Sequence, residues 1–394
     1  MKLWGPLRWT FRREVPWSVH GPVVRGPRGT FAIRLAGYGE VRQVEQWFRM
    51  NKARSWDEWR EAMRMQALPM FNCVYADADG HIAYVYNARI PKRASGYDWR
   101  SPVPGDTSAT LWTETLPFDA MPIVVDPPSG FVQSTNSTPW SATTGAGNPD
   151  PAAFDATLGI ETHLTNRGRR ALALLGADES ITADELDAIK WDVGYAPDSE
   201  AAQAIDALLA APPPRDPLTL EALEVLKTWD RRADASNRAA AIALLTLRVD
   251  HRGRIGVDPP EVLFDRLRAA AGALKKDFGR LDPTWGEVNR LRHGSADLPL
   301  SGAPDVLRAV YAAQDPDGRW HGTAGDSYVL MAEWDGAGQV RSRSIHQFGS
   351  ATLDERSKHF ADQAPLFAQP RLKPVWMDET EIRAHLEREY RPGE

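Results

Sequence analysis

The chain has 394 residues and a formal net charge of −6, from 47 Lys and Arg against 53 Asp and Glu. This length can bury a sizeable core, and the absence of a long basic run argues against a nucleic-acid partner. The single cysteine, Cys73, excludes an internal disulfide framework and a cysteine-rich metal site.

The first part of the chain predicts a sheet region. Residues 1–17 carry charges and prolines where a secretory signal needs an unbroken apolar core, so no signal peptide is expected within this chain. Residues 7–35 consist of short apolar runs separated by Gly and Pro, which is typical of strands. No stretch reaches the roughly eighteen consecutive apolar residues of a membrane span, so no membrane partner is expected.

Two helices are predicted after Glu40. The first is indicated by apolar residues at helical spacing, which are Val41, Val44, Trp47 and Phe48. The second begins at a predicted capping box of Ser55 and Glu58. Its expected apolar face comprises Trp56, Trp59, Met63 and Ala67.

A β-hairpin is predicted next. Residues 71–91 alternate with a period of two around the turn residues 77–80. The sequence DADG at this turn also resembles the start of a calcium loop, but the later acidic ligands are missing, so a turn is the preferred interpretation. A proline-rich passage then leads to a strand that is predicted to end near Gln133.

The middle of the chain predicts a helical block. After Asn148 the composition shifts to Ala, Leu and charged residues, and helices are expected at residues 167–175, 182–189 and 199–210. Thr182 and Glu185 form a predicted capping box for the second of these. Residues 211–217 predict a stiff proline linker, followed by further helices as far as about Arg292.

Strands are predicted again near the end of the chain. The segment from Gly325 to Gly349 indicates two strands around a turn at Asp335 and Gly336. Strands at both ends of the chain with helices between them favour one sheet closed by distant segments, although separate sheets are an alternative.

Well-known local catalytic and metal-binding motifs are absent from the sequence. The nine histidines show no paired metal-ligand spacing, so no metal site is predicted. A G-x-S-x-G elbow and a glycine-rich phosphate loop are also missing. His20, at a predicted strand end before Gly-Pro, is more often a hydrogen-bonded structural residue than a general base.

The segment GFVQSTNSTPW, residues 130–140, gathers amide and hydroxyl groups beside the predicted strand end. An isolated Asn136 would most often be a turn or cap residue. Trp47, on the apolar face of its helix, would most often pack in a core, with the wall of an aromatic pocket as the alternative. Residue type and spacing alone therefore give neither residue a catalytic or binding role.

An ordered set of segments resembles the penicillin acylase family, whose relatives also hydrolyse acyl-homoserine lactones and lipopeptides, within the N-terminal-nucleophile hydrolases. The segments are, in chain order, VHGPVV, SWDEW, YADADGHIAYV, IPKR, PVPG, LPF, GFVQSTNSTPW, GDSYV, HFADQAPLF and LKPVW. They extend over nearly the whole chain. Each segment alone would be weak evidence for the family, whereas the ordered set is highly specific for it.

The resemblance implies an α+β fold: a partial four-layer αββα N-terminal-nucleophile hydrolase fold with an inserted helical region and its first strands missing. It divides the chain into three parts. Residues 1–150 would form the strand and helix part of the αββα core, residues 151–320 a mainly helical region, and residues 321–394 strands that return to the core with a terminal helix.

The resemblance also implies a mechanism. In the family an N-terminal Ser attacks the substrate amide, and its own α-amino group acts as the base. The Asn that matches Asn136 donates its side-chain amide to the oxyanion, and the Arg that matches Arg167 orients that amide. Trp47 and Phe71 fall at positions that line the acyl pocket. The expected substrate is an N-acylated small-molecule amide.

The family's Ser-Asn-x-Trp start does not occur in this sequence. We therefore expect the C-terminal part of a β subunit, with an α subunit and the N-terminal part of the β subunit as partners. The resemblance implies no cofactor for the chemistry, a structural calcium ion only in the complete protein, and a periplasmic or secreted location. The alternative is a non-catalytic remnant or binding protein that retains the acylase framework.

Overall fold

The computed structural model describes residues 2–4, 7–8, 14–247, 249 and 253–391. The chain divides into two compact units. The first unit comprises Met1–Pro128 and Thr138–Thr162, and the second comprises Ser129–Ser137 and His163–Glu394. The three-part division at residues 150 and 320 stays a prediction.

The first unit contains small antiparallel sheets. Its described strands are β1 (Lys2–Trp4), β2 (Leu7–Arg8), β3 (Trp17–Ser18), β4 (Gly21–Gly26), β5 (Gly29–Ala32), β6 (Met70–Ala76), β7 (Ile82–Ala88) and β8 (Ile123–Val125). β1 pairs with β2, and two three-stranded sheets have the orders β3-β4-β5 and β6-β7-β8. The predicted sheet region and hairpin are confirmed, except that residues 9–13 lie outside the described part.

Two helices stand between these sheets in the sequence, α1 (Gln43–Lys52) and α2 (Trp56–Met63). The Ser55 hydroxyl accepts the Glu58 N–H at 3.3 Å. The Glu58 carboxylate accepts the Arg54 N–H at 2.9 Å instead of closing the box on Ser55. Both helices are therefore confirmed, together with half of the predicted capping box. Short 3₁₀ turns lie at Ser108–Thr110, Phe118–Ala120, Pro139–Ser141, Gly145–Gly147, Pro151–Ala153 and Ala156–Leu158.

The aromatic face of α2 packs against the hairpin of β6 and β7. Trp59 and Met63 are buried in one cluster with Val85. The ring of Tyr75 lies 5.0 Å from that of Trp59. The predicted apolar face is confirmed for α2, and Ala67, beyond the helix end, is buried as well.

α1 turns a polar side chain inward and apolar side chains outward. Gln46 is fully buried, and its Oε1 accepts the N–H groups of Ala67 at 2.8 Å and Leu68 at 2.9 Å. Val44 and Phe48, on the opposite side of the helix, are exposed. One buried amide therefore ties α1 to the loop that leads into β6.

The predicted strand ending near Gln133 is wrong. β8 ends at Val125, and residues 131–134 have no regular secondary structure. Pro127 and Pro128 follow β8 after one residue, Asp126, and because proline has no N–H it cannot continue a ladder of hydrogen bonds.

The second unit is built around a helical core. Its described helices are α3 (Asn166–Leu175), α4 (Ala183–Lys190), α5 (Glu200–Ala210), α6 (Pro217–Leu226), α7 (Ala240–Thr246), α8 (Pro260–Phe278), α9 (Trp285–Val288), α10 (Ala364–Ala368) and α11 (Glu379–Ala384). Apolar side chains of α5, α6, α7 and α8 form its largest buried cluster. The predicted helices α3, α4 and α5 are confirmed, as is the capping box of Thr182 and Glu185.

The further helices predicted as far as about Arg292 are confirmed as far as Val288, where the chain turns into unpredicted strands. β9 (Asn289–His293), β10 (Ala296–Pro299), β11 (Val310–Gln314) and β12 (Trp320–Gly325) form a sheet of order β10-β9-β12-β11. Leu291 of β9 and Leu300 are fully buried in the cluster beneath this sheet. Burial on one face of short strands gives too few apolar positions for a clear period-two pattern.

The last strands are β13 (Tyr328–Trp334), β14 (Val340–His346) and β15 (Lys373–Pro374), in the order β13-β14-β15. The predicted pair around Asp335 and Gly336 is confirmed. One sheet closed by distant segments is wrong, because the described strands form separate sheets. None of the described helices is both long enough and apolar enough to cross a membrane.

We predict that Gln46→Ala lowers the free energy of unfolding by about 2–5 kcal/mol, because two buried N–H groups lose their acceptor. Urea unfolding followed by tryptophan fluorescence measures the change. Gln43→Ala on the same helix is the matched control, since the Gln43 amide makes one contact, to the Glu40 carbonyl. Equal effects of the two substitutions would show that Gln46 does not hold the loop.

Candidate active site

Asn136 lies at the tip of a polar loop held by hydroxyl groups. Its φ of +58° is the left-handed conformation, which Asn adopts more readily than most residues. The Ser137 hydroxyl lies 2.9 Å from the Thr135 hydroxyl and 2.7 Å from that of Thr165. These contacts fix the loop on both sides of Asn136.

The loop is anchored on the first turn of α3. The Thr165 hydroxyl caps this helix by accepting the Gly168 N–H at 3.1 Å. A Cβ atom at Gly168 would lie 2.7 Å from the Ser137 hydroxyl and 2.6 Å from a methyl group of Leu164. Only glycine therefore allows the polar loop to lie this close to the helix.

Arg167, in the same turn of α3, contacts Asn136 directly. Its Nη2 donates to Oδ1 of Asn136 at 3.1 Å. Because a guanidinium can only donate, Oδ1 must face Arg167, and the NH₂ group of Asn136 points away from it. Asn136 is exposed. The amide can therefore offer N–H donors to a ligand.

Asp305 holds Arg167 from the other side. Its carboxylate accepts from Nε of Arg167 at 3.4 Å and from the Asn166 N–H at 2.8 Å. Burial raises the pKa of Asp305, and the hydrogen bonds and charge of its partners oppose that rise. The neighbouring Asn166 is buried and donates to the carbonyls of Gly194 and Asp305. Asp305, Arg167 and Asn136 therefore form a connected polar row.

Trp47 and Phe71 belong to the first unit and contact each other. Their ring centroids are 6.1 Å apart, and the rings meet edge to face at 73°. Trp47 is 42% exposed and Phe71 is 51% exposed. This exposure disfavours the core interpretation of Trp47, since the pair presents an open aromatic surface.

The four site residues predicted from the sequence thus form two contacting pairs, one in each unit. Sequence reasoning missed Asp305, which is distant in sequence from Arg167 and lies in the undistinguished segment GAPDV. Asn166, in LTNRG, could have been noticed because it directly precedes Arg167. No group of three or more His, Cys, Asp or Glu side chains that could hold a metal ion occurs in the part of the chain that the structure describes.

The fold has a solved counterpart. The thermostable penicillin G acylase from Alcaligenes faecalis superposes with a TM-score of 0.61 at 18% sequence identity, covering 95% of this chain and 77% of that one. The fold is therefore that of a penicillin acylase, with mixed helices and sheets, so the α+β class is confirmed. The four-layer arrangement and the missing first strands stay predictions.

The sequence comparisons agree. The family model described as penicillin amidase matches residues 8–384, and the chain belongs to that family. It is 38% identical over 180 residues to the penicillin G acylase of Escherichia coli, covering 45% of this chain and 20% of that protein. It is 25% identical over 438 residues to the acyl-homoserine lactone acylase PvdQ of Pseudomonas savastanoi pv. phaseolicola, covering 94% of this chain and 55% of that protein. The chain thus spans no more than about half the length of these relatives.

The raised pKa of Asp305 predicts a pH dependence of stability. Native Asp305 binds its proton more tightly than the unfolded chain, whose carboxyl has the ordinary pKa of 3.8. Its contribution to stability is therefore fully present below that pH and is lost as the pH rises through the native pKa. We expect the free energy of unfolding, taken relative to Asp305→Asn, to fall from about pH 4 upward.

Urea unfolding of both proteins at several pH values measures this difference. Asp198→Asn is the control for loss of one carboxylate, since Asp198 forms an exposed ion pair with Arg169. A difference that stays flat or rises with pH would contradict the assignment.

Proposed function

We propose that this chain is part of an N-acyl amide hydrolase and supplies the side-chain oxyanion donor, Asn136. Membership of the penicillin amidase family and the names of the acylase relatives support an amide hydrolase. The contact that carries the proposal is the hydrogen bond from Arg167 to Oδ1 of Asn136 at 3.1 Å. This bond supports the proposal because it turns the NH₂ group of the amide away from Arg167, towards the side where a substrate would lie.

In the proposed reaction a Ser hydroxyl attacks the carbonyl carbon of the amide, and the α-amino group of the same Ser takes its proton. The C–N bond then breaks, the amine leaves with that proton, and water hydrolyses the acyl-Ser ester. We assign the Ser to a polypeptide segment outside these 394 residues. Asn136 would donate its N–H to the carbonyl oxygen as negative charge develops there.

Arg167 acts on this step through Asn136. Donation from a guanidinium to the amide oxygen polarises the amide, which strengthens its N–H groups as donors. Asp305 and the buried Asn166 hold Arg167 and its helix in place, so the amide needs little reorganisation when the oxyanion forms. The left-handed backbone at Asn136 is the kind of local strain that clusters at functional sites.

Trp47 and Phe71 would form the wall that receives the acyl group. Both rings are half-exposed and meet edge to face. An aliphatic or aromatic acyl chain would cover apolar surface there, which favours binding. We therefore propose an N-acylated small-molecule amide as the substrate, with neither the acyl group nor the amine specified further.

The chemistry needs no cofactor, because one hydroxyl, one amine and fixed hydrogen-bond donors supply each step. We propose a structural calcium ion only for the complete protein. We propose an α subunit and an N-terminal part of the β subunit as partners, and a periplasmic or secreted location.

We predict that Asn136→Ala, in this chain assembled with the rest of the enzyme, lowers kcat by about a hundredfold or more, as expected for one oxyanion donor. Asn136→Gly is the matched control for backbone strain, because glycine accepts the left-handed conformation but has no amide. Both variants should lose activity equally in a steady-state amidase assay. Near-normal turnover of either variant would remove Asn136 from the mechanism.

We also predict that Trp47→Ala changes acyl selectivity more than it changes turnover. Removing the ring opens the wall, so kcat/KM should fall by about tenfold or more for acyl groups that fill the site and less for longer ones. Assays with an amide series of increasing acyl length measure this shift. Val41→Ala on the exposed side near the start of α1 is the control. A uniform loss across the series would contradict a wall role.

The origin of the Ser can be tested at the gene. We expect the DNA before the Met1 codon to contain an open frame that encodes an α subunit and a Gly-Ser-Asn junction. Stop codons or unrelated sequence there would instead favour the non-catalytic remnant and would withdraw the enzymatic proposal for this chain.

A further inference from the structure

The carboxylate of Asp192 forms a two-pronged ion pair with Arg170 of α3. It accepts from Nε of Arg170 at 2.9 Å and from Nη2 at 2.9 Å. The Asp192 side chain is 9% exposed and that of Arg170 is 22% exposed. Burial raises the pKa of Asp192, but its hydrogen bonds and the charge of Arg170 outweigh that rise, so the pKa lies below its usual value. Because Arg170 lies about one helical turn after Arg167, the pair holds the helix that carries Arg167.

The same carboxylate holds the peptide group of Gly194. Its Oδ1 accepts the Gly194 N–H at 3.1 Å, and the Gly194 carbonyl accepts from Nδ2 of Asn166 at 3.1 Å. A Cβ atom at Gly194 would lie 3.3 Å from Nε of Arg170, so this peptide lies directly against the ion pair. Asn166 then donates its own N–H to the Asp305 carboxylate at 2.8 Å. The ion pair is thereby connected to the candidate site through hydrogen bonds.

The backbone of Asp192 supports the segment around Asp305 from a second point. Its carbonyl accepts the Arg308 N–H at 3.0 Å. Arg308 is 1% exposed, and its guanidinium donates to the Phe367 carbonyl at 2.7 Å, so this end of the segment is anchored. Asp305 itself has a φ of +59°, a left-handed conformation that a non-glycine residue keeps only when its surroundings impose it. The contacts that start from Asp192 belong to those surroundings.

We propose that Asp192 and Arg170 are positioning residues of the candidate active site. Their ion pair fixes α3 relative to the segment around Asp305. Arg167 donates to Asp305 at 3.4 Å and to Asn136 at 3.1 Å. The first distance is close to the limit of a hydrogen bond, so a shift of a few tenths of an ångström between α3 and the segment would break it. The pair therefore controls the contact that holds Arg167 beside Asn136.

The position of Arg167 can be measured in this chain alone and does not depend on the proposed function. The effect on turnover rests on the proposed function, because it acts through Asn136. An ion pair that only stabilised the fold would change the free energy of unfolding and leave the contacts of Arg167 as they are. The two roles are therefore separable by experiment.

Arg170→Lys is the variant that tests the pair. Lysine keeps the charge but offers a single ammonium in place of the planar fork. Asp192 also keeps its contact with Arg232 at 3.4 Å, so the carboxylate is not left without a cation. Arg169→Lys is the matched control on the same helix, since Arg169 pairs with Asp198, whose side chain is 67% exposed. Asp192→Asn, which keeps the shape of the side chain but not its charge, replaces Arg170→Lys if that variant does not fold.

The Nε–H group of Arg167 reports its contact with Asp305 in the chain alone. Its NMR signal is assigned by its loss in Arg167→Lys. A hydrogen-bonded proton exchanges slowly with water, so exchange of this proton should be several-fold faster in Arg170→Lys than in the original chain. Arg169→Lys should exchange at the original rate. All proteins are compared at one pH and temperature, and urea unfolding checks that each is folded.

In this chain assembled with the rest of the enzyme, Arg170→Lys should lower kcat by about tenfold or more and leave KM within about twofold. The proposed oxyanion donor acts in the transition state, so its displacement costs turnover rather than substrate binding. Arg169→Lys should leave both constants unchanged. A steady-state amidase assay measures them.

Unchanged proton exchange at Arg167 in Arg170→Lys would overturn the proposal. An equal change in Arg169→Lys would do the same, because the effect would then belong to α3 as a whole. Faster exchange with an unchanged kcat would also overturn it, since the pair would then hold Arg167 without serving the reaction. If the assembled original protein has no amidase activity, the proposed function fails instead, and the exchange measurement alone decides whether the pair positions Arg167.

Discussion

The candidate site depends on one property of arginine, that its guanidinium donates hydrogen bonds and never accepts them. Between the Asp305 carboxylate and the Asn136 carbonyl oxygen, Arg167 has an acceptor on each side. Rotation of the Asn136 amide would bring two donors together and is therefore disfavoured. The orientation of the group that would contact the substrate is thus set by a residue that need not touch the substrate. Gly168 and Thr165 complete the arrangement by letting the polar loop lie directly on α3.

Local signals in the sequence predicted most of the elements that are bounded by clear turn or cap residues. The hairpin of β6 and β7, the capped helices α3 to α5 and the last strand pair each have turn or cap residues at fixed offsets, and each is confirmed. The prediction of a strand near Gln133 was wrong because the apolar pair Phe131 and Val132 imitates a strand end. β9 to β12 were missed because short strands lie among good helix formers, where periodicity gives little guidance.

Long-range partners could not be predicted from the sequence. Asn136 and Arg167 were found through an ordered family pattern, whereas Asp305 follows no motif and meets Arg167 only through folding. Gln46 shows the same limit. The apolar residues of α1 suggested which face would be buried, yet the buried side chain is the amide, and Val44 and Phe48 face outward. Two N–H groups of the loop before β6 determined that choice, and no periodicity analysis counts them.

The contact between Arg167 and Asn136 also determines what deamidation of Asn136 would do to the site. Hydrolytic loss of ammonia from Asn136 would leave a carboxylate of nearly the same shape. Arg167 would hold that carboxylate more firmly than the amide, because both partners would then be charged. The altered residue would keep its contacts in the fold, yet it would present negative charge where the proposed oxyanion would form. In the proposed mechanism, deamidation of this one side chain would therefore abolish catalysis while leaving the protein folded.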